Sequence, residues 1–421
     1  MQLRDYQIRI ANEASVKLIN FKIVYLAMEV RCGKTLTALE TAKLYSAKSV
    51  LFITKKRAIS SIESDYKELN YKFDLMVVNY ESLHLVNQKF DLVICDESHS
   101  KISGYPKPSE TAKLVKEKCK GLPVIFLSGT PTPESYSQIY HQLWVSDYSP
   151  FREYKNFYKW AKDFVNVTTR NFGYADIKDY TDANQEKILQ YVDKLFIRFT
   201  QQEAGFISII KEQVLYCNMS DLTYNLCSRL KKDKVVKGEK ETILADTGVK
   251  LMSKLHQLFS GTIIFESGKF QILDDSKGKF IKETFLNMKI GIFYKFKAEY
   301  QMLKQVFGDS LCDNLEEFNS TDKNIALQIV SGREGISLKK AKCLVYLNID
   351  FSATSYWQSR DRLTTIDRRS NEVFWVFADN GIENLIYKSV LSKRDYTLSQ
   401  FNKDISGIIP AIDYKIIKMQ C

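Results

Sequence analysis

Short apolar segments rich in β-branched residues alternate with segments of helical periodicity in the first part of the chain. The apolar segments are four or five residues long, as in strands buried on both faces, and lie at residues 23–27, 50–54, 75–78, 92–95 and 124–127. Residues 35–45 and 59–69, between them, have a helical pattern. Because strand–helix–strand repeats build α/β folds, the alternation predicts a parallel sheet flanked by helices.

The alternation stops and later returns, which predicts a second unit of the same kind. From about residue 144 to 194 strand signals nearly vanish and the sequence is helical and aromatic. Strand candidates reappear at residues 214–217, 290–294, 326–330, 343–347 and 373–377, with a helix at 298–307. We therefore predict an α/β protein of two tandem lobes, each with a parallel sheet. The predicted bounds are 1–205 and 206–421, with helical insertions at about 144–195 and 222–285.

Composition limits the class of protein. Hydrophobic residues make up 45% and charged residues 26% of the 421 residues, which is ordinary globular usage and excludes general disorder. No apolar run approaches the roughly 18 residues that span a bilayer, so we expect no membrane association. The eight cysteines are scattered without a Cys-x-x-Cys pair, which favours reduced thiols in a cytoplasm and argues against a structural metal. We expect a monomer, and the net charge of +11 fits a polyanionic partner.

The tripeptide Gly33-Lys34-Thr35 lies between an apolar strand and a helix, the setting of a phosphate-binding loop of the Walker A type. In such a loop Lys34 would reach the β- and γ-phosphates of ATP, and the Thr35 hydroxyl would bind Mg²⁺. Met28 and Arg31 stand where the usual pattern prefers small residues. On this tripeptide alone, a solvent-facing helix start is the alternative.

A second polar signal, Asp96-Glu97-Ser98-His99, follows the apolar strand at residues 90–95. Open α/β sheets bind their ligands at the carboxyl ends of the strands. Asp96 would hold Mg²⁺ through water, and Glu97 would orient and deprotonate the attacking water. Acidic residues at a strand end are often only solvated, but in this order after the glycine-lysine loop they predict an ATPase.

Further motifs extend the pattern along nearly the whole chain. They lie at residues 3–7, 79–82, 90–99, 127–133, 196–200, 211–214, 289–296, 330–338, 357–362 and 381–386. In this order they resemble the motifs of superfamily-two helicases, and specifically those of the SWI/SNF-type DNA translocases. The resemblance implies two RecA-like lobes with ATP in the cleft between them. It also implies duplex DNA across both lobes and stepping along one strand as the cleft opens and closes.

The resemblance assigns roles to residues of the first lobe. Gln7 would read adenine, and Arg4 belongs to the same nucleotide-binding motif. The acidic box resembles the Asp-Glu-x-His form, in which His99 would connect ATP to the motif at residues 127–133. Ser128 and Thr130, within that motif, would then couple the nucleotide state to the grip on DNA.

The second lobe would supply a sensor for the γ-phosphate, normally arginines of the motif at residues 357–362. Arg362 and Arg360 are the candidates for this arginine, and Gln358 and, in the preceding motif, Gly335 would bind the nucleotide. The family usually has a second arginine three positions after Arg362, where this chain has Thr365. Arg360 or the arginines at 368–369 could supply the missing charge. An arginine finger contributes about 10³–10⁵ in rate, so this departure bears on turnover and not on the fold.

Three functions are consistent with these motifs. The first is an ATP-driven translocase on double-stranded DNA. The second is a helicase that separates strands or remodels forks, with a preference for single-stranded or forked DNA. The third is a weakly active nucleic-acid clamp that needs a partner. An RNA helicase is disfavoured because the acidic box ends in Ser-His. The Lys-, Asn- and Tyr-rich composition predicts a phage or bacterial protein of DNA replication, recombination or repair, with a replication or recombination protein as partner.

Two basic segments have competing interpretations. Phe151, Tyr154 and Tyr158 recur at helical spacing among lysines, which fits an amphipathic helix packing its aromatic face or, less readily, base stacking. The lysines of residues 231–240 could follow a DNA backbone, although a solvated loop is the favoured interpretation.

Overall fold

The computed structural model describes residues 2–171, 176–206, 209–238, 241–332, 337–363 and 370–392. The chain divides into two compact units, Met1–Ile207 and Ser208–Cys421. Each unit contains a six-stranded parallel sheet flanked by helices, which confirms the predicted fold class of tandem α/β lobes.

The first unit has the sheet order β3-β2-β4-β5-β1-β8, with every pair parallel. Its elements are α1 (Asp5–Phe21), β1 (Ile23–Met28), α2 (Lys34–Leu44), β2 (Ser49–Thr54), α3 (Ile59–Leu69), β3 (Asp74–Asn79), β4 (Leu92–Asp96), α4 (Ser98–Lys101), α5 (Glu110–Lys118), β5 (Val124–Leu127), α6 (Gln138–Trp144), α7 (Phe157–Phe164), β6 (Thr168–Asn171), β7 (Asp176–Asp179), α8 (Gln185–Val192) and β8 (Phe196–Phe199).

Strand β1 explains the continuous apolar pattern of these strands. It lies between β5 and β8, and successive side chains enter different cores because strand side chains alternate between the two faces of a sheet. Val24 and Leu26 pack with α1 and α2, whereas Tyr25 packs with residues of α5 to α8 on the opposite face. Because β1 pairs with β8, the first and last strands of the unit are neighbours in the sheet.

The second unit has the sheet order β15-β16-β14-β17-β18-β9, again with every pair parallel. Its elements are β9 (Ile209–Cys217), α9 (Asp221–Asp233), β10 (Val235–Lys237), β11 (Thr242–Leu244), α10 (Gly248–Leu258), β12 (Thr262–Ile264), β13 (Phe270–Ile272), α11 (Ser276–Thr284), β14 (Ile290–Tyr294), α12 (Lys297–Phe307), β15 (Leu311–Cys312), α13 (Leu315–Ser320), β16 (Asn324–Gln328), α14 (Ile329–Gly332), β17 (Cys343–Tyr346), α15 (Ala353–Ser359), β18 (Ser370–Ala378) and α16 (Glu383–Leu391).

A buried ion pair joins two helices of the second unit. Lys277 of α11 and Glu383 of α16 are fully buried, and Lys277 Nζ lies 2.6 Å from Glu383 Oε1. Lys277 Nζ also donates to the carbonyl of Leu347, 3.2 Å away, just after β17. Because a buried charge requires partners, these contacts fix α11 and α16 against the same end of the sheet.

The two segments predicted as helical insertions are not wholly helical. The first contains the antiparallel pair β6–β7, and the second contains the pairs β10–β11 and β12–β13. These strands are three or four residues long. Strands this short contain too few residues to show the alternation of apolar and polar side chains by which a strand is recognised in a sequence.

Helix α7 and the residues just before it form an amphipathic segment that buries its aromatic face. Phe157, Trp160 and Phe164 are buried, as is Phe151 before the helix, while Tyr158 is 42% exposed. The buried rings stack and tilt against one another within the first unit. In the described part of the chain, no helix is long and apolar enough to cross a membrane. The described cysteines are buried free thiols.

Candidate nucleotide site

Strands β1, β4 and β5 are neighbours in the first sheet, so the segments after their carboxyl ends meet at one edge. The phosphate loop (residues 29–33) follows β1, the acidic box (residues 96–99) begins at the last residue of β4, and residues 128–133 follow β5. The topology therefore gathers three polar segments that are far apart in the sequence.

The phosphate loop contains two residues with left-handed backbone conformations. Arg31 has φ 65° and Gly33 has φ 74°. Gly33 is required for a second reason, because a β-carbon there would lie 2.0 Å from Gln7 Nε2. Lys34 begins α2, and its Nζ donates to the carbonyls of Met28 and Glu29, at 3.0 and 3.3 Å. The lysine thus closes over its own loop, where a phosphate would be held.

Gln7 is fixed against the phosphate loop. Its Oε1 accepts a hydrogen bond of 2.8 Å from the backbone N–H of Arg4, and the side chain is almost wholly buried at the start of α1. Its Nε2 faces Gly33, so the predicted adenine-reading residue touches the predicted phosphate loop. Arg4 is exposed, and its guanidinium donates to Tyr6 OH at 3.1 Å.

Asp96 occupies the carboxyl end of β4. Its Oδ2 accepts from Thr54 Oγ1 at 2.8 Å, and its Oδ1 accepts from the backbone N–H of Glu97 at 3.0 Å. Burial and, to a smaller extent, the negative charge of Glu97 together raise the pKa of the Asp96 carboxyl to about 6, against the opposing effects of Thr54, Lys34 and Lys55. A positive charge near Asp96 would relieve this unfavourable environment.

The acidic box contacts the segment after β5 through a buried histidine. Glu97 has φ 49°, and its Oε2 lies 3.4 Å from His99 Nδ1. His99 Nδ1 and Ser128 Oγ are 2.7 Å apart, and Ser128 Oγ accepts from the backbone N–H of Thr130 at 3.0 Å. The three residues predicted as coupling residues are therefore in one chain of contacts that starts at Glu97.

Gly129 brings the segment after β5 close to the phosphate loop. A β-carbon on Gly129 would lie 3.6 Å from Lys34 Nζ and 3.5 Å from the carbonyl oxygen of Met28. These are ordinary van der Waals distances, so the backbone after β5 lies directly beside the phosphate loop and its lysine.

A second buried network beside the acidic box was not predicted from the sequence. Tyr25 OH donates to Gln142 Oε1 at 2.6 Å and lies 2.9 Å from Ser98 Oγ. Gln142 Nε2 donates to the carbonyl of Pro131 at 2.8 Å. No motif contains Tyr25 or Gln142, so only the order of the strands could have indicated that they meet.

The arginine candidates of the second unit have different surroundings. Arg360 forms an ion pair with Glu212, and its guanidinium carbon lies 3.8 Å from the ring centre of Trp357. The same Glu212 carboxylate accepts from Tyr356 OH at 2.8 Å. These contacts hold the Arg360 guanidinium against residues of its own unit. Arg362 is 7% exposed in a 3₁₀ turn, where its carbonyl accepts from the backbone N–H of Leu338.

Other predicted residues of the second unit cannot be placed in a site. Gln358 lies in α15. Gly335, Thr365 and the arginines at 368–369 lie outside the described residues.

Mg²⁺ commonly binds through one or two protein ligands together with substrate phosphates and water. Thr35 lies in the first turn of α2, and Asp96 has a buried carboxylate with a raised pKa. This donor set fits such an ion. Among the described residues, no group of three or more His, Cys, Asp or Glu side chains could hold a metal on its own.

Comparison with known proteins identifies the class. The model of the SNF2-related domain matches residues 31–262, more than half of the chain. The chain therefore belongs to the SNF2-related domain family, which confirms the resemblance drawn from the motifs and places it among the ATPases of helicase superfamily two.

Individual relatives are distant. The SWI/SNF-related matrix-associated actin-dependent regulator of chromatin subfamily A-like protein 1 of Drosophila melanogaster is 21% identical over 327 residues, which cover 74% of this chain and 41% of that protein. The chain thus spans about two fifths of that relative's length. The Sulfolobus solfataricus SWI2/SNF2 ATPase core in complex with dsDNA is 17% identical, with a TM-score of 0.41 over 97% of this chain and 94% of that one. The same core domain in a second structure is 16% identical, with a TM-score of 0.42 over 98% and 91%.

Proposed function

We propose that the chain is a DNA-dependent ATPase that couples ATP hydrolysis to movement on double-stranded DNA. One observation carries the proposal. The segments that contain Lys34, Glu97 and Ser128 lie together at one edge of the first sheet, in a chain of the SNF2-related domain family. The acidic box and the segment after β5 reach that edge in the order that the family motifs require.

The residues of the first unit would divide the work as follows. Lys34 would exchange the carbonyls of its own loop for the β- and γ-phosphates, and the loop N–H groups would bind phosphate oxygens. Thr35 and Asp96 would hold Mg²⁺, which neutralises phosphate charge when bound. Glu97 would accept the proton of the attacking water and orient it. Gln7 would read adenine beside the loop.

The coupling residues would carry the chemical state of the site to the DNA-binding surface. Glu97 contacts His99, and His99 contacts Ser128, whose hydroxyl holds the N–H of Thr130. A proton or charge change at Glu97 can therefore alter the conformation of the segment after β5. Ser128→Ala should lower the ratio of DNA-stimulated to basal hydrolysis more than it lowers ATP affinity.

In the second unit, Arg362 is the better candidate for a catalytic arginine, because it stands four positions after Gln358, as the family motif requires. Arg362→Ala should reduce turnover more than ATP affinity. Arg360→Ala should instead lower the stability of the second unit. An effect of Arg360→Ala on turnover alone would reverse this assignment.

We propose further that the protein acts in phage or bacterial DNA replication, recombination or repair, with a replication or recombination protein as partner. The support is compositional, namely the Lys-, Asn- and Tyr-rich sequence.

The test is the ATPase rate of purified protein with duplex, single-stranded and forked DNA and with RNA. Lys34→Ala should abolish hydrolysis, whereas Lys43→Ala, on the exposed face of the same helix, should not. Glu97→Gln should bind ATP and fail to hydrolyse it. Strong stimulation by duplex supports translocation, and preference for single strands or forks supports the strand-separating alternative. Absence of hydrolysis under every condition would refute the proposal.

DNA binding should weaken steeply as salt increases, because lysine and arginine contacts with phosphates release counterions. The measurement is the dissociation constant of a labelled duplex across a salt series. A flat response would contradict a basic binding surface.

A further inference from the structure

The segment that leads from the first unit to the second is an ordered turn. This connector (residues 200–206) follows β8. Glu203 Oε2 accepts from the N–H and the hydroxyl of Thr200, at 2.7 and 2.8 Å, and the N–H of Phe206 donates to the carbonyl of Gln201 at 3.0 Å. These hydrogen bonds from the backbone and hydroxyl of Thr200 lower the pKa of the Glu203 carboxyl. A closed turn can transmit a displacement from one end to the other.

Three hydrogen bonds tie this connector and the end of β8 to the phosphate loop. The N–H of Gln201 donates to Glu29 Oε2 at 2.8 Å, and Gln201 Nε2 donates to the carbonyl of Val30 at 3.0 Å. The N–H of Glu29 donates to the carbonyl of Phe199 at 2.9 Å. Gln201 therefore donates to both Glu29 and Val30, although 171 residues separate it from Glu29 in the sequence.

The same loop residue is in contact with the lysine predicted to bind phosphate. Lys34 Nζ donates to the carbonyl of Glu29, while the side chain of Glu29 accepts from Gln201. If Lys34 turns to a phosphate, Glu29 loses a charged hydrogen bond to its carbonyl. Charge-assisted hydrogen bonds are the stronger ones, so this loss alters the preferred position of Glu29.

The N-terminal nucleotide motif contacts the same region. The rings of Tyr6 and Phe199 stack with their centres 4.8 Å apart, and the guanidinium carbon of Arg4 lies 5.9 Å from the ring centre of Phe206. The segment predicted to read the base and the loop predicted to bind phosphate thus both touch the connector or the strand that leads into it.

The surroundings leave room for movement. A cavity of about 230 Å³ has Glu29, Gly129, Phe199 and Thr200 among its lining residues. Protein interiors are otherwise closely packed, so side chains next to such a space can shift without displacing a core.

We propose that Glu29 and Gln201 are positioning residues that transmit nucleotide occupancy of the phosphate loop to the connector. The contact between them, named here the loop–connector contact, would change when Lys34 exchanges the Glu29 carbonyl for phosphate. This inference rests on the proposed ATPase function, because it requires nucleotide at that loop.

The experiment is hydrogen–deuterium exchange of the peptide covering residues 200–206, with and without a non-hydrolysable ATP analogue and Mg²⁺. The N–H of Gln201 is a direct probe, because it is donated to Glu29. Gln201→Ala removes the bond to Val30, and Glu29→Ala removes the acceptor for the Gln201 N–H. Gln202→Ala is the matched control, because Gln202 is the adjacent residue of the same type and its side chain is exposed.

In wild-type protein and in Gln202→Ala, nucleotide should change the exchange rate of this peptide by about tenfold, the effect of one charge-assisted hydrogen bond. In Glu29→Ala, which lacks the acceptor, the response should be lost, whereas in Gln201→Ala, which keeps the N–H donated to Glu29 and lacks only the bond to Val30, it should be reduced. Gln201→Ala should also keep its ATP affinity within about threefold and lose about tenfold in DNA-stimulated turnover, a split that a purely structural residue would not give. The double variant should be no worse than the more affected single variant.

Two results would overturn the inference. If Glu29→Ala responds to nucleotide as Gln202→Ala does, the contact transmits nothing, while the ATPase proposal stands. If the wild-type protein binds no nucleotide, the proposed function fails and the inference fails with it.

Discussion

The environment of Asp96 allows us to predict both the sign and the size of its effect on the stability of the first unit. Its pKa rises from 3.8 to about 6, first through burial and then through the charge of Glu97. A shift of about two units corresponds to about 3 kcal/mol of folding free energy that is lost when the carboxyl ionises. The first unit should therefore gain stability when this charge is removed.

The perturbation is Asp96→Asn. Asparagine can keep both hydrogen bonds, since its oxygen can accept from the N–H of Glu97 and its amide can donate to Thr54 Oγ1. Because the folded pKa lies above the unfolded value, the wild-type carboxyl stabilises the fold below about pH 4 and loses this contribution as the pH rises through about 6. The variant should match wild type near pH 4 and exceed it by roughly 1–3 kcal/mol at pH 7.5.

The assay is native-state hydrogen exchange of peptides from β1, β4 and β5, which reports the opening free energy of the first unit alone. Exchange is measured from pH 4 to 8 and corrected for the chemical exchange rate. Asp74→Asn, an exposed change at the start of β3, serves as the control and should stay within about 0.5 kcal/mol. A variant that is less stable than wild type at pH 7.5, or a difference that does not depend on pH, would refute the reasoning.

Two further predictions concern packing and buried charge. Gly33→Ala should lower the unfolding free energy by about 1 kcal/mol more than Gly121→Ala does. Both glycines have positive φ, but only at residue 33 would a β-carbon lie against Gln7. Urea titration of the two variants measures the difference, and equal losses of unfolding free energy would contradict the prediction. Lys277→Met should lower the stability of the second unit by about 3–5 kcal/mol by leaving Glu383 buried without its cation, and adding Glu383→Gln should restore part of the loss. Exchange of β18 peptides measures both, and no rescue would count against the ion-pair explanation.

The alternation of strand-like and helix-like segments in the sequence was enough to predict the parallel sheets and the polar residues that follow their strands. Lys34, Asp96 and Ser128 each follow or end an apolar strand, and parallel strands direct such residues to one edge. The roles of these residues remain proposals, whereas the family and the fold class are confirmed.

Contacts between distant segments could not be predicted in the same way. Thr54, Gln142 and Gln201 belong to no short motif, and their importance depends on which strands are neighbours. The pairing of Arg360 with Glu212 joins residues 148 positions apart, so the sequence, which favoured Arg362 on motif spacing, could not indicate this carboxylate partner. The antiparallel pairs β6–β7, β10–β11 and β12–β13 were missed because strands of three or four residues have too little periodicity.

The pairing of first and last strands has a consequence for synthesis. In the first unit β1 pairs with β8, and in the second β9 pairs with β18 through nine registered residues. Nearly a whole unit must therefore be synthesised before all six strands of its sheet can pair, and contacts of such long sequence separation form slowly. Until Phe199 has emerged, the N–H of Glu29 lacks its acceptor, so the phosphate loop is among the last parts of the first unit to be completed. A nascent chain that stops before β8 should present an unpaired edge of β1, where chaperones would bind and aggregation would begin.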